Sequence, residues 1–186
     1  MSSLTIAVVV GSLRKDSFNL QVARAFVRLA PPDVRFQFCR IDDLPLFSQD
    51  TEGQPTAAVT RLKDEIKAAD GVLFVTPEYN RSVPGVLKNA IDCASRPYGQ
   101  GVWQNKPAGV MGVSPGGLGT ALAQQHLRNV LSFFNMPTLG SPEVFLQWKE
   151  GLVTASGEIG PASKAYLQGY MDALLAWIRQ HAAAAR

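Results

Sequence analysis

The sequence predicts an α/β protein built on a doubly wound parallel sheet with helices on both faces. Two observations carry this. Short runs rich in Val, Ile and Leu alternate with segments of helical period along the whole chain. The first, third and fourth of these runs each end in a turn of Gly, Ser, Pro or Asn, where such sheets bind their ligands.

The elements follow in order. Leu4–Val10 is almost continuously apolar, as a parallel strand covered on both faces requires. A helix is predicted from Phe18 to Ala30, with Val22, Ala23, Phe26, Val27 and Ala30 at helical spacing and Pro31-Pro32 stopping it. Val34–Arg40 sets Val34, Phe36 and Phe38 against Arg35, Gln37 and Cys39, which reads as a half-buried edge strand. Residues 42–56 are polar and contain Pro and Gly, so a surface loop is expected. A second helix is predicted over Pro55–Ala69, with Val59, Leu62, Ile66 and Ala69 on one face. Gly71–Thr76 is the next buried strand. A turn at Pro77–Pro84 leads to a helix over Gly85–Ser95, then a Gly-rich loop over 97–105. Lys106–Val113 is a strand, Ser114–Gly119 a flexible loop, and Thr120–Asn135 a helix. The fifth strand falls within Thr138–Leu146, starting near Val144. The last helix is expected from Pro161 to His181, fraying over Ala182–Arg186.

Composition sets the outer bounds. With 46% hydrophobic and 18% charged residues, the 186 residues describe one ordinary globular domain, 1–186. The net charge is +3, and no run of cations suggests a nucleic-acid partner. Cys39 and Cys93 form no disulfide framework and read as buried, reduced thiols. The N-terminal apolar run is too short for a signal peptide, and nothing approaches the ~20 apolar residues of a membrane span. A cytoplasmic protein with no membrane partner is expected.

Right-handed crossovers turn this order of elements into a doubly wound sheet. A dinucleotide sheet requires G-x-G-x-x-G after the first strand, but the turn here is Gly11-Ser12-Leu13-Arg14-Lys15-Asp16-Ser17. A Walker loop fails because no G-K-[ST] follows a glycine turn. A receiver domain needs clustered acids after the first strand, and Gly11-Ser12-Leu13 has none. The remaining choice is a flavodoxin-like five-stranded sheet of order 2-1-3-4-5, with its ligand at the carboxyl ends of the strands.

Three loops meet there. In the first, the hydroxyls of Ser12 and Ser17, the amide of Asn19 and the guanidinium of Arg14 surround the start of a helix, a setting that suits a phosphate. Ser17 as a simple helix N-cap is the plainer alternative. The second loop, Thr76–Gly85, is stiffened by two prolines and carries Glu78, Tyr79, Asn80 and Arg81. Its backbone groups and aromatic face suit a planar ring such as a flavin or purine, and an ordinary turn with Ser82 capping the next helix fits equally well. The third loop, from Ser114 through Gly116 and Gly117 to Gly119, lets backbone approach a ligand closely or serves as a plain connector. His126 has no companion at metal-ligand spacing. Trp103, Trp148 and Trp177 read as packing or interface residues rather than flavin stackers, although Trp103 lies in a loop that could reach the pocket.

The pairing of G-S-L-R-K-D-S-F-N at residues 11–19 with T-P-E-Y-N-R-S-V-P-G-V-L-K-N-A-I-D at residues 76–92 resembles the NADPH-dependent FMN reductase family, in particular its bacterial chromate/quinone reductase branch. The resemblance covers nearly the whole chain. It implies non-covalent FMN, with Ser12, Arg14, Ser17, Phe18 and Asn19 at phosphate-loop positions. It puts Pro77, Glu78, Tyr79, Asn80 and Arg81 beside the isoalloxazine, and Ser114, Gly116 and Gly117 in the third flavin-contacting loop. It implies NAD(P)H as co-substrate and small-molecule electron acceptors: quinones, free flavin, azo compounds or metal oxyanions such as chromate. It also implies a homodimer or homotetramer. Many relatives carry Tyr where this chain has Arg81, so a cation is added at the pocket mouth.

With FMN bound, hydride passes from NAD(P)H through flavin N5 to the acceptor in a ping-pong cycle, and no side chain need act as acid or base. Arg81, Arg14 and Arg96 are candidates to attract the phosphates of NAD(P)H, and for Arg96 a solvated helix-end residue favoured by the dipole is the plainer reading. No reader of the 2′-position, which would separate NADPH from NADH, is identifiable. The rival reading is a flavodoxin-type electron carrier. Such carriers use an acidic surface to dock basic partners, and a pI near 9.0 argues against one here.

Overall fold

The computed structural model describes residues 3–184. Five strands, β1 (Leu4–Val10), β2 (Val34–Cys39), β3 (Gly71–Val75), β4 (Ala108–Ser114) and β5 (Val144–Gln147), form one parallel sheet of order β2-β1-β3-β4-β5. This is the flavodoxin-like order. The register sets Val10 beside Val75 and Val75 beside Met111, so the carboxyl ends of β1, β3 and β4 lie side by side.

Helices α1 (Phe18–Val27), α2 (Ala57–Ala68), α3 (Gly85–Ser95), α4 (Ala121–Phe133) and α5 (Pro161–Ala184) connect and follow the strands. The two faces of the sheet carry separate cores. On one face Ile6, Val8, Leu73 and Met111 pack against Phe26 of α1 and Tyr170, Leu174 and Ile178 of α5. On the other, Val9, Val72, Phe74 and Val110 pack against Leu62 and Ile66 of α2, Leu87 and Ile91 of α3 and Leu127 of α4. Strand β3 is buried throughout, and β1 and β4 at all but Thr5 and Ser114, which explains their apolar runs.

Several element ends differ from the sequence reading. Helix α1 stops at Val27 rather than Ala30, because Leu29 and Ala30 close tighter turns onto Phe26 and Val27. The residue before Pro31 disfavours the helical conformation. Strand β4 begins at Ala108 because the preceding Pro107 has no N–H for the ladder. The loop over residues 42–56 contains a 3₁₀ turn at Gln49–Thr51, capped by Ser48. Helix α5 continues past His181 to Ala184, and the remainder of the expected fraying lies outside the described residues. Among the described residues no helix is long and apolar enough to cross a membrane.

Candidate active site

The first loop leaves β1 at Val10, turns back through a hydrogen bond from the Ser17 amide to the Arg14 carbonyl (3.1 Å), and enters α1. Ser17 is buried and caps the helix, its Oγ accepting the Leu20 N–H at 3.2 Å. The capping role therefore exists, and it leaves the Ser17 hydroxyl hydrogen as a donor. The amides of Phe18 and Asn19, in the first helical turn, have no intrahelical acceptor. Arg14 lies over the Phe18 ring at 4.8 Å, and Phe18 in turn stacks on Trp148 with centroids 4.2 Å apart. A cation held this way gains about 0.5–1 kcal/mol and keeps its N–H edge for an anion.

Asn19 has a second duty. Its Oδ1 accepts the Val113 N–H at 3.0 Å, and its Nδ2 donates to the Val113 carbonyl at 2.9 Å. It is buried and ties the start of α1 to the end of β4. The first and third loops are thus fixed to each other.

The second loop is a tight hairpin. Tyr79 and Ser82 exchange backbone hydrogen bonds of 3.2 and 3.1 Å, and Asn80 (φ 52°) and Arg81 (φ 69°) both lie in the left-handed region. Two consecutive positive φ values define the two-residue turn that best matches strand twist. Asn accepts this conformation readily; Arg does so at some cost. Tyr79 is half exposed and Arg81 exposed, so the turn projects its aromatic ring and its cation outward. Pro77 is buried at its base.

Glu78 fastens this hairpin to the third loop. Its Oε2 accepts the N–H groups of Leu122 and Ala123 at 3.0 and 3.1 Å, at the start of α4. Thr120, in the usual capping position, has φ 77° and makes no capping bond, so a carboxylate from another loop does that work at the positive helix end. Ser82 adds a second tie, its Oγ 3.0 Å from His126 Nδ1 on α4, rather than capping α3. Both ties join residues far apart in sequence, and no local pattern announces them.

The third loop comes close to β5. Gly119 (φ 58°) passes so near Phe145 and Leu146 that a Cβ would sit 2.6 Å from the Phe145 carbonyl carbon. Gly112 in β4 likewise has no room, because the Thr76 carbonyl oxygen would lie 2.1 Å from its Cβ. Gly116 and Gly117 are different. A Cβ at Gly117 meets nothing within 4 Å, and one at Gly116 meets only Ser114 Oγ at 3.7 Å. Packing does not require glycine at these two positions, which lie exposed in the loop that follows β4. That open loop of small residues, together with a phosphate-suited turn and a rigid hairpin, fits a mononucleotide with a flat ring.

Two candidates fall outside the site. Arg96 terminates α3 at the end remote from the hairpin, about 16 Å away along an 11-residue helix. Its Nε pairs with Glu52 Oε2 at 2.7 Å, so it fixes the 3₁₀ turn instead of attracting a substrate. Trp103 is fully buried; its Nε1 donates to the Ile91 carbonyl at 2.9 Å, and it does not reach the pocket. Conversely Trp148, read from sequence only as a packing or interface residue, supports Phe18 within the phosphate turn. Cys39 and Cys93 are buried free thiols. Burial, with help from the Glu65 carboxylate, pushes Cys39 up to about 12.

Comparison with known proteins agrees with this geometry. The chain is 49% identical over 178 residues to a 2-hydroxy-1,4-benzoquinone reductase of a Burkholderia species, covering 95% of this chain and 97% of that one. It is 47% identical over 176 residues to a quinone reductase of Pseudomonas putida, covering 94% and 95%. Among solved structures, the flavoenzyme NAD(P)H:(acceptor) oxidoreductase FerB of Paracoccus denitrificans superposes with a TM-score of 0.91 at 45% identity, over 96% of this chain and 98% of the other. Residues 4–150 match the profile of the NADPH-dependent FMN reductases, and the chain belongs to that family of FMN- and NAD(P)H-using enzymes.

Proposed function

We propose that this chain reduces quinones with NAD(P)H, and that free flavin, azo compounds and metal oxyanions such as chromate are further acceptors. The observation that carries this reading is the cross-bracing of three loops at one end of the sheet, by Asn19 to Val113 and by Glu78 to Leu122 and Ala123. Bracing of this kind holds a cofactor in one pose, which is the protein's main task in flavin chemistry.

Ser12, Arg14, Ser17, Phe18 and Asn19 hold the phosphate end of FMN. Asn19 acts through its backbone amide and its remaining amide hydrogen, since its other polar groups are bound to Val113. Pro77, Glu78, Tyr79, Asn80 and Arg81 border the ring. Glu78 contributes backbone there, because its carboxylate is committed to α4. Ser114, Gly116 and Gly117 approach from the third loop. Bound FMN supplies the two-electron chemistry that no side chain of this chain provides. Tyr79 and Arg81 flank the opening through which donor and acceptor both come, so each must leave before the other enters. Residues 1–186 serve as one FMN-binding domain, assembled as a homodimer or homotetramer.

Steady-state oxidation of NADPH at several fixed concentrations of a benzoquinone tests this. The expected result is a family of parallel double-reciprocal lines. Lines that intersect, or a lack of quinone-dependent turnover, overturn the reading.

A further inference from the structure

The tip of the second loop holds an arginine that its backbone does not call for. Asn80 and Arg81 both have positive φ, 52° and 69°. A two-residue hairpin turn of this kind favours Asn followed by Gly, and Arg81 stands where glycine would sit without strain. Packing does not call for an arginine either. Its side chain is exposed, and among the described residues it makes no hydrogen bond, ion pair or ring contact. A residue held in a sparsely populated backbone region with no structural return points to a function for its side chain. The charges around it are otherwise spent. The Glu78 carboxylate is bound to the N–H groups of Leu122 and Ala123. Lys88, in α3, is paired with Asp92 at 2.8 Å. The third loop, residues 114–119, carries no charged side chain. In the first loop Arg14 lies against Phe18, and Lys15 and Asp16 are neighbours of opposite sign. Among the described residues, Arg81 is the one uncommitted charge of the second and third loops.

We propose that Arg81 selects electron acceptors that carry a negative charge, namely quinones bearing an ionised sulfonate, carboxylate or enolate. The proposal rests on the reading above, in which quinones enter between Tyr79 and Arg81. Tyr79 is half exposed and offers an aromatic face to a quinone ring. Arg81, two residues on, offers a planar fork of N–H donors, which matches an oxyanion through two parallel bonds. The two side chains thus recognise the two parts of such a molecule, its ring and its charge. A neutral quinone uses only the first. The rigid turn adds to this. Tyr79 and Ser82 exchange backbone bonds, and Ser82 is tied to His126 on α4. The backbone that carries Arg81 is therefore fixed, and less freedom is lost when an anion binds. A fixed cation at an opening also raises the local concentration of anions and speeds their entry. That attraction weakens as salt is added.

The test gives the FMN-loaded enzyme 1,4-naphthoquinone or 1,4-naphthoquinone-2-sulfonate as acceptor, with NADPH as donor. The quantity read is the ratio of kcat/KM, sulfonate over neutral, in which any loss common to both acceptors cancels. Arg81→Gln should lower this ratio about tenfold, chiefly through KM. Arg81→Lys should keep most of it. Raising the salt from about 20 mM to about 500 mM should lower the ratio in the native enzyme and leave it flat in Arg81→Gln. Arg81→Gly removes the charge and relieves the turn, so it should lower the ratio equally without lowering Tm. Calorimetric titration gives a readout without turnover. Naphthalene-2-sulfonate, which accepts no hydride, should bind Arg81→Gln about tenfold more weakly than the native protein, a larger factor than 2-naphthol loses. An unchanged ratio, a loss seen only in kcat/KM for NADPH, a lower Tm in Arg81→Gly, or a sulfonate titration indifferent to Arg81 would overturn the proposal. If the enzyme reduced neither quinone, the function proposed above would fail, and the naphthalene-2-sulfonate titration would still decide the role of Arg81.

Discussion

Arg14 and Ser17 carry the account at the residue scale. Arg14 is held on Phe18 and keeps its N–H edge free, while the Ser17 oxygen is spent on capping and its hydrogen is not. Each charge-assisted contact to a phosphate is worth on the order of 1.5–3 kcal/mol. The double variant Arg14→Ala/Ser17→Ala should therefore raise the Kd for FMN by at least about a hundredfold, read by flavin fluorescence. Ser17→Ala also removes the α1 cap, at about 1 kcal/mol of stability, so Arg14→Ala alone isolates the charge. Unchanged affinity in the double variant contradicts the phosphate assignment. Cys39 gives a pH prediction. Its thiol ionises near 9.0 when exposed but is pushed up to about 12 in the fold, chiefly by burial. A raised folded value means the unfolded chain loses its proton first. The corresponding stability is whole below about pH 9 and drains away as the pH rises toward 12. Between pH 8 and pH 10.5 the protein should lose about 1–2 kcal/mol more in urea unfolding than its Cys39→Ser variant. Equal losses would show that Cys39 does not titrate as its burial demands.

The hairpin at residues 79–82 and helix α4 act as one element because of Glu78. Its carboxylate takes two backbone N–H groups that Thr120 leaves uncapped. Glu78→Ala should cost about 1–2 kcal/mol, lowering Tm by about 2–4 °C per kcal/mol for a chain of this size. Glu78→Gln, which keeps a neutral acceptor, should recover part of it. A Tm unchanged by Glu78→Ala would mean that the hairpin stands without this brace. The same region marks how far a sequence can be read. Strand order, the number of helices and the three ligand loops follow from apolar runs and turn residues, because those signals are local. The start of α3 at Gly85 is legible for the same reason, since Pro84 fixes it. The Glu78 cap, the Ser82–His126 tie and the Phe18–Trp148 stack are not legible, because each joins residues that only the folded sheet brings together. For Trp103 the packing reading holds, and Arg96 is a helix-end residue paired with Glu52. Both follow a site helix in sequence, yet α3 carries them to the far end of the sheet or into its core.

Over the whole molecule, the order β2-β1-β3-β4-β5 gathers every ligand-suited loop at the carboxyl ends of β1, β3 and β4, and the two buried cores hold those ends rigid. The central claim is that this end binds FMN and passes electrons from NAD(P)H to a quinone. Anaerobic absorbance spectroscopy of the FMN-loaded protein tests it most directly. Addition of NADPH should bleach the oxidised flavin band near 450 nm, and a stoichiometric amount of benzoquinone should restore it in full. A flavin band that NADPH leaves intact, or that stays bleached after the quinone is added, would contradict the account.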